Sequence, residues 1–384
     1  MRTPEQPDVR AAKGILADPA GRSIFDGPFS FPLMVADRAA LRHNIATLAG
    51  FAREHGMELA PHAKTTMAPA LLAAQLEAGA WGFTVATPSQ ALILRGHGVE
   101  RIMVANEIVD PAGLRAIAAE LERDPSFEFL CFADSVAQIE IMSRHAGARP
   151  FRVLAELGQP GGRGGCRTVG DLLDVAAAAQ AASGVELAGV GGYEGTLDSA
   201  DQVRAYLGRL REALDHLRVR DPILSVGGSM WFDVIGRELA DCQARVLLRS
   251  GAYITHDDGI YRERTPYNRI TGELRPALEV WAHVLSTPEP GMTIVGFGKR
   301  DAPYDEGLPV PKAVRRADGE LSPVKGEVVK MWDQHALLTG ENDLRPGDLV
   351  SFGISHPCTA FDKWRVLPVV DERHVVVELI ATYF

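Results

Sequence analysis

The sequence predicts an α/β protein in which a (β/α)8 barrel is followed by an antiparallel β domain. The first observation is that short apolar runs alternate with amphipathic or alanine-rich segments up to about residue 250. Strand–helix alternation at this spacing indicates parallel βαβ units. The second observation is that this alternation stops near Gly272, after which strands follow one another without long helices.

Eight apolar runs have the length and composition of barrel strands, and eight βαβ units favour a closed, TIM-like barrel over an open sheet. The predicted strands are Glu58–His62, Gly82–Ala86, Ile102–Ala105, Glu128–Phe132, Phe151–Glu156, Leu187–Gly192, Ile223–Val226 and Arg245–Leu248. The predicted helices between them are Met67–Gly79, Ser89–Gly96, Pro111–Arg123, Ser135–His145, Thr168–Ser183, Ala200–Leu217 and Phe232–Ala240. A further helix, Arg38–His55, is predicted before the first barrel strand.

The C-terminal part has the pattern of a separate β domain of about a hundred residues. Its predicted strands are Leu274–Ser286, Met292–Val295, Gly326–Trp332, Asp348–Ile354 and His374–Thr382. The charged, glycine-containing run Ala313–Glu327 is predicted to be a solvated loop. We therefore expect an N-terminal segment (1–30) associated with the β domain, a barrel (31–271) and the antiparallel β domain (272–384).

Composition excludes several classes of protein. The 384 residues are 46% hydrophobic and 23% charged, as in ordinary globular proteins. The net charge of −10 gives an acidic surface that repels phosphate backbones, so we expect no nucleic-acid partner. No stretch approaches 18 apolar residues, and the first residues lack the apolar core of a signal peptide, so we expect no membrane association. Four widely spaced cysteines fit a reducing, cytoplasmic location.

Polar and glycine residues follow the predicted strands, at the ends where a (β/α)8 barrel places its active site. Lys64 follows the first strand and has no acidic residue within five positions. A lysine held there would lose solvation, which lowers its pKa from about 10.4 toward neutrality. The neutral amine can form a Schiff base with a carbonyl group. The alternative is an ordinary surface lysine in a βα loop.

Gly227, Gly228 and Ser229 follow the seventh strand. Glycines let backbone N–H groups approach a phosphate, and barrels often bind phosphate after strands seven and eight. A plain Gly-Gly turn is the alternative interpretation. A Schiff-base lysine after strand one and a phosphate site after strand seven together indicate pyridoxal 5′-phosphate (PLP).

His356 and Cys358 stand at the end of an apolar strand of the β domain. Because residues i and i+2 of a strand share a face, both side chains could reach one ion. Imidazole and thiolate together favour zinc, with water or substrate completing an open catalytic site. The alternative is a buried cysteine beside a strand histidine.

These motifs resemble those of the D-serine dehydratase and D-threonine aldolase family, which are fold-type III PLP enzymes related in fold to alanine racemase. The segment Pro61-His62-Ala63-Lys64-Thr65 resembles the family's PLP-lysine motif. Further segments fall in the family's order: Gly162-Arg163-Gly164, Tyr193-Glu194-Gly195, Gly227-Gly228-Ser229, Arg249-Ser250-Gly251 and His356-Pro357-Cys358. The resemblance runs from about Phe31 to the C-terminus.

The resemblance implies a role for each matching residue. Lys64 would carry PLP and act as the base at Cα, and His62 would belong to the cofactor-binding set. Arg163 would face the pyridine nitrogen, where a permanent cation makes the ring a poorer electron sink. Gly228 and Ser229 would bind the phosphate, with Tyr253 assisting. Tyr193 would contact the cofactor ring, and its alternative is packing within the barrel. His356 and Cys358 would bind the metal.

Two segments depart from the family pattern. The family's usual Asp-Ala-Gly reads Gly296-Phe297-Gly298 here, and the loop after it, Lys299–Asp305, resembles a segment at the dimer active site. The Pro-Asn-His that often precedes the metal cysteine reads Ile354-Ser355-His356.

The metal pair favours one reaction within the family, because the dehydratases resemble His-x-Cys and the aldolases His-x-Asp. We therefore predict a PLP- and Zn²⁺-dependent lyase of the D-serine dehydratase type, which converts a D-3-hydroxy amino acid to a 2-oxo acid and ammonia. The metal would polarise the β-hydroxyl, and another divalent ion could replace zinc. The alternatives are retro-aldol cleavage to glycine and an aldehyde, racemisation, and a non-catalytic PLP carrier. A D-amino acid substrate and a homodimer rest on the resemblance.

Overall fold

The computed structural model describes residues 12–341 and 343–384. Within these ranges the chain divides into two compact units. Unit 1 contains residues 48–64 and 73–251, and unit 2 contains residues 12–47, 65–72 and 252–384.

Unit 1 is a parallel (β/α)8 barrel, as the sequence predicts. Its strands are β2 (Glu58–Leu59), β3 (Phe83–Val85), β4 (Arg101–Glu107), β5 (Glu128–Ala133), β6 (Phe151–Leu157), β7 (Val185–Gly192), β8 (Ile223–Val226) and β9 (Arg245–Leu248). Its helices are α2 (Pro69–Glu77), α3 (Pro88–Gly96), α4 (Pro111–Arg123), α5 (Val136–His145), α6 (Val169–Ala181), α7 (Ala200–His216) and α8 (Phe232–Glu238), with α2 beginning in unit 2. Helix α1 (Arg38–Glu54) spans the boundary between the two units in the sequence.

The eight strands pair in the order β2-β9-β8-β7-β6-β5-β4-β3. A parallel bridge between His62 and Thr84 closes the seam between β2 and β3. Apolar side chains from alternate strands, among them Met103, Leu154 and Leu247, fill the interior. The interior is therefore packed, and chemistry is confined to the carboxyl ends of the strands.

The barrel helices begin where the sequence places short polar side chains. The side chains of Thr87, Asp110, Ser135, Thr168 and Ser199 each accept a hydrogen bond from a backbone N–H in the first turn of the helix that follows. Such caps satisfy donors that have no partner inside the helix. They fix the start of each helix and therefore the length of each βα loop.

Unit 2 contains a ten-stranded, mainly antiparallel sheet. Its strands are β1 (Leu33–Asp37), β10 (Leu278–Glu289), β11 (Met292–Val295), β12 (Val310–Arg315), β13 (Leu321–Pro323), β14 (Glu327–Met331), β15 (Ala336–Thr339), β16 (Leu349–Gly353), β17 (Val366–Val370) and β18 (Val376–Ala381). The main path runs β13-β12-β16-β10-β1-β17-β18, and β11, β15 and β14 extend from β10. One pair, β1 with β17, is parallel. A short helix, α9 (Ile260–Arg264), precedes β10 in the chain.

The N-terminal residues that the structure describes pack with this sheet. Ser23 forms a bridge with Val375, and Lys13 forms an ion pair with the buried Asp301 at 3.0 Å. Residues 31–47, 65–72 and 252–271, which the predicted barrel domain includes, also belong to unit 2.

The prediction of a solvated loop at Ala313–Glu327 is wrong. The segment instead contains the end of β12 and all of β13, which form a hairpin. Two of its cations have partners in the fold: the Arg315 guanidinium lies 4.6 Å from the centre of the Phe25 ring, and the Arg316 guanidinium lies 2.5 Å from the Asp343 carboxylate. Paired charges of this kind are compatible with a strand.

Among the described residues, none of the helices is both long enough and apolar enough to cross a lipid bilayer.

Candidate active site

Lys64 and His62 lie just beyond the carboxyl end of β2, at the seam of the barrel. Lys64 is the central residue of a 3-10 turn, Ala63–Thr65, and His62 forms the bridge that closes the seam. Burial, followed by the positive charges of Lys64, Arg249 and Arg163, lowers the pKa of His62 well below its usual range. The imidazole is therefore neutral at physiological pH. Its Nδ1 atom is buried and has no hydrogen-bond partner within the described part of the chain.

The loop after β6 is rigid although it is rich in glycine. Arg167 donates to the carbonyl oxygens of Gly162, Arg163, Gly164 and Gly165 at 2.6–3.0 Å. This loop, together with Glu156 and Tyr193, lines a cavity of about 470 Å³. A single arginine therefore holds the wall of the cavity in one conformation.

Arg163 and Tyr193 are in contact at this cavity. The Arg163 side chain is exposed, and its guanidinium lies 5.1 Å from the centre of the Tyr193 ring. The Tyr193 backbone is fixed by a hydrogen bond from its N–H to the Tyr206 hydroxyl at 3.0 Å. A cation over an aromatic ring is attractive by about 0.5–1 kcal/mol at exposed sites. The predicted pyridine-facing Arg163 thus lies beside the predicted ring contact Tyr193.

The Gly-Gly turn after β8 is bound to a buried carboxylate. Glu194 is fully buried and accepts the backbone N–H groups of Gly227 and Gly228 at 3.0 and 2.9 Å. Gly227 has φ of 109°, a backbone conformation that favours glycine. Burial raises the pKa of Glu194, and the two N–H groups oppose that rise. The predicted phosphate ligand Gly228 therefore uses its N–H for Glu194, and the buried Ser229 follows it.

Arg249 is a buried cation that the sequence analysis assigned to no role. Its guanidinium donates to the Ser225 hydroxyl at 2.8 Å and to the Gly192 carbonyl at 2.6 Å. It thereby links the ends of β7, β8 and β9. The sequence signal that could have identified Arg249 is its position directly after the apolar strand Arg245–Leu248. An arginine buried at such a position is rare unless it is paired.

A carboxyl pair at the ends of β4 and β6 was also missed. Burial, followed by a hydrogen bond with Glu107 and the charge of Glu107, raises the pKa of Glu156 to about 9. The Glu156 carboxyl group is therefore protonated near neutral pH. The two residues are 49 positions apart, and neither carries a local sequence signal.

The predicted metal ligands belong to unit 2, but they do not lie in a strand. Strand β16 ends at Gly353, His356 is extended, and Cys358 lies in a 3-10 turn, Pro357–Thr359. The expectation that the two side chains share a strand face is therefore wrong, because Pro357 cannot continue the hydrogen-bonded ladder. The turn nevertheless leaves Cys358 close enough to His356 to raise the pKa of the imidazole.

Other polar groups of unit 2 surround this pair. The His356 Nδ1 atom lies 2.8 Å from a carboxylate oxygen of Asp305, and the Cys358 sulfur lies 3.4 Å from the Thr65 hydroxyl. Burial lowers the pKa of His356, but Cys358 and Asp305 together outweigh it and raise that pKa to about 9. Among the described residues, no group of three or more His, Cys, Asp or Glu side chains is arranged to hold a metal ion. Tyr253, the remaining predicted residue, is buried in a 3-10 turn of unit 2, Ala252–Ile254.

The residues fit the two groups that the sequence predicts. Unit 1 offers the unpartnered Nδ1 atom of His62 and the cations Lys64, Arg163 and Arg249 close enough to influence it, which suits an anionic cofactor such as PLP. Unit 2 offers an imidazole and a thiol at the same short turn, and these two groups are a donor pair for a borderline-soft divalent metal with open positions.

Comparison with known proteins agrees with this assignment. The family model of the alanine racemase N-terminal domain matches residues 36–241, more than half of the chain, and that of the serine dehydratase domain matches residues 277–370. A D-threonine aldolase from Arthrobacter sp is 30% identical over 296 residues, which cover 72% of this chain and 74% of the relative.

Solved structures show the same fold. The crystal structure of D-threonine aldolase from Filomicrobium marinum matches with a TM-score of 0.80 at 24% identity, covering 92% of this chain and 95% of that one. D-threo-3-hydroxyaspartate dehydratase from Delftia sp. HT23 matches with a TM-score of 0.73 at 22% identity, covering 92% and 98%. The chain belongs to the family of fold-type III, alanine racemase-like PLP enzymes that includes the D-threonine aldolases.

Proposed function

We propose that this protein is a PLP- and metal-dependent lyase that dehydrates D-3-hydroxy amino acids, of which D-serine is the simplest, to 2-oxo acids and ammonia. The observation that carries the choice of dehydration is the His356-Pro357-Cys358 pair, which stands at one short turn of unit 2. A thiolate ligand favours zinc over manganese or magnesium, which prefer oxygen. Zinc is therefore the proposed metal.

Lys64 is the proposed base. PLP supplies the electron sink that makes the Cα proton of a bound amino acid acidic. Lys64, at the carboxyl end of β2, would hold the cofactor and then accept that proton on its Nζ atom. The neutral His62 beside it cannot contribute a competing positive charge, because burial and the neighbouring cations keep its pKa low.

The walls of the unit 1 cavity would orient the cofactor. Tyr193 and Arg163 lie at the cavity, where the proposal places the pyridine ring. Ser229 and Tyr253 remain proposed phosphate ligands, whereas Gly228, whose N–H donates to Glu194, would serve by leaving room for the phosphate. Arg167 keeps the loop that carries Arg163 in place, which reduces the entropy lost when the cofactor binds.

A metal held by His356 and Cys358 would supply Lewis-acid assistance to the departing β-hydroxyl group. Structures of the dehydratase from Delftia support the choice of these ligands. Two of its variants replace a histidine and a cysteine that are two positions apart, and the cysteine variant is in a metal-free form. His356 and Cys358 have the same spacing.

Retro-aldol cleavage to glycine and an aldehyde is the second candidate. It is favoured by the similarity to the D-threonine aldolase from Arthrobacter at 30% identity. In that reaction a base removes the proton of the β-hydroxyl instead of the Cα proton, and the same two protein units would serve it. The His-x-Cys pair is the feature that makes dehydration our first choice.

Product analysis separates these reactions. The protein loaded with PLP and zinc is incubated with D-threonine, and the products are quantified. Dehydration predicts 2-oxobutyrate and ammonia in equal amounts. Glycine with acetaldehyde would establish the aldolase reaction, and L-allothreonine would indicate epimerisation at Cα. Unchanged substrate over a panel of D-3-hydroxy amino acids would contradict the lyase proposal.

We also propose a homodimer. Light scattering coupled to size-exclusion chromatography would measure the mass in solution, and a monomeric mass close to 41.5 kDa would contradict this part of the proposal.

A further inference from the structure

Asp305 holds the imidazole of His356 from the side of its Nδ1 atom. One oxygen of the Asp305 carboxylate lies 2.8 Å from Nδ1, and the other accepts a hydrogen bond from the Thr359 hydroxyl at 2.9 Å. The carboxylate therefore bridges His356, which precedes the turn Pro357–Thr359, and Thr359, which is the last residue of that turn. The sequence separation between Asp305 and His356 is 51 residues, so the contact is made by the fold alone.

This contact selects a tautomer of the imidazole. A neutral histidine carries one N–H, and a carboxylate facing Nδ1 keeps that proton on Nδ1. When the ring gives up its second proton to bind a metal ion, the lone pair is therefore on Nε2, the nitrogen that faces away from Asp305. Histidines that ligate metals almost always donate their other N–H to a carboxylate, carbonyl or water, which orients the ring and raises its basicity.

The carboxylate is itself held in place. The Thr359 hydroxyl fixes one oxygen, and the Ser355 hydroxyl donates to the carbonyl of Gly307, two residues beyond Asp305. The loop that carries Asp305 is thus bonded to the His356 turn at both Ser355 and Thr359. Both oxygens of Asp305 have partners, and no cluster of three metal-ligating side chains occurs in the part of the chain that the structure describes. These contacts suit an orienting group rather than a third ligand.

We infer that Asp305 is a positioning residue for His356, an inference that rests on the metal site of the proposed function. Asp305 fixes the ring through Nδ1 so that Nε2 is presented to zinc, and Thr359 fixes Asp305. The loop Lys299–Asp305 therefore has a specific role, although the segment before it, Gly296-Phe297-Gly298, departs from the family pattern.

Zinc affinity tests this inference without relying on turnover. PLP-loaded protein is stripped of metal, and Zn²⁺ binding is measured by isothermal titration calorimetry. Asp305→Ala is expected to raise the Kd for Zn²⁺ about 10- to 100-fold, the usual effect of losing such a partner. Asp305→Asn keeps an acceptor but loses the charge and should fall between wild type and Asp305→Ala. Thr359→Val should weaken binding in the same direction by a smaller factor.

Matched controls separate positioning from loss of structure. Glu306→Ala removes an exposed carboxylate from the next position of the same loop and should bind Zn²⁺ as wild type does. The melting temperature and the cofactor absorbance of each variant show whether it is folded. If Asp305→Ala does not fold, Asp305→Asn and Thr359→Val carry the test.

The possible failures are distinguishable. If His356→Ala and Cys358→Ala abolish Zn²⁺ binding while the Asp305 and Thr359 variants bind as wild type does, the positioning role is wrong and the metal site stands. If the wild-type protein binds no Zn²⁺, this inference and the metal part of the proposed function are both wrong, whereas the PLP part is untouched.

Discussion

The ring of Tyr193 lies directly against the backbone of Gly228. A Cβ atom placed on Gly228 would be 3.0 Å from Cε2 of that ring. Tyr193 follows β7 and Gly228 follows β8, so this contact joins two loops at the carboxyl ends of neighbouring strands. The contact brings together Tyr193, the predicted neighbour of the cofactor ring, and Gly228, which was predicted to bind the cofactor phosphate.

Gly228→Ala should therefore disturb the cofactor site. Tyr193 must move by a few tenths of an ångström, and overpacking of this kind typically costs about 1–3 kcal/mol. We expect a lower melting temperature and weaker PLP binding, measured by titration of the apoprotein with PLP. The control is Gly208→Ala on α7, where an added Cβ meets nothing within 4 Å. That change should leave PLP binding unchanged and stabilise the helix by about 0.5–1 kcal/mol. Equal PLP affinities in the two variants would contradict the packing argument.

Glu156 should make the stability fall as the pH rises. Its pKa in the folded state is about 9, against an ordinary value of 4.5, so between these values the folded protein holds a proton that the unfolded chain has released. The stabilising contribution is complete below about pH 4.5 and is lost as the pH approaches 9. The slope from one proton is at most about 1.4 kcal/mol per pH unit.

Glu156→Gln removes this titrating proton. Urea unfolding at several pH values should show a flatter pH dependence for Glu156→Gln than for wild type. Glu140→Gln, at an exposed position of α5, is the control and should reproduce the wild-type slope. Parallel profiles for wild type and Glu156→Gln would show that the pKa of Glu156 is not raised in the folded protein.

Lys64→Ala should abolish catalysis and change how the cofactor is held. Loss of a general base typically costs about 10²–10⁴-fold in rate, and loss of the covalent attachment adds to that. The visible absorption band of lysine-bound PLP should be absent after dialysis and should not return when PLP is added. Retention of the band in Lys64→Ala would mean that another lysine carries the cofactor.

Cys358→Ala should separate metal binding from cofactor binding. The variant should keep the PLP absorbance, since Lys64 is intact, and should lose bound zinc and turnover together. Metal content by mass spectrometry and initial rates with added Zn²⁺ provide the measurement. Turnover at the wild-type rate in the absence of added metal would remove Cys358 from the mechanism.

The barrel was predictable because its strands are local signals. Strands β8 and β9 are short apolar runs bounded by turns, and their observed bounds, Ile223–Val226 and Arg245–Leu248, match the predicted ones. Strands β1, β12, β13, β15 and β17 were missed. Strand β1 is defined by a distant partner, because it pairs with β10 across more than 240 residues, and β12 carries a charge that is neutralised only in the fold.

The same limit applies to the candidate site. Lys64, His356 and Cys358 stand in short motifs, so sequence reasoning finds them. The groups that hold the candidate site in place do not stand in such motifs. Glu194 reaches Gly228 across 34 positions and Asp305 reaches His356 across 51, and no local pattern records either contact. The turn containing Pro357 brings Cys358 to His356, whereas the strand periodicity assumed for the pair does not exist there.

The fate of the Cα hydrogen tests the central claim most directly. D-threonine deuterated at Cα is incubated with the PLP- and zinc-loaded protein, and products and solvent are analysed by mass spectrometry and deuterium NMR. Because we propose that Lys64 removes the Cα proton before the hydroxyl leaves, we predict 2-oxobutyrate, release of the deuterium to water and a slower rate than with unlabelled substrate. Glycine that retains the deuterium, formed with acetaldehyde at an unchanged rate, would contradict this account and establish retro-aldol cleavage.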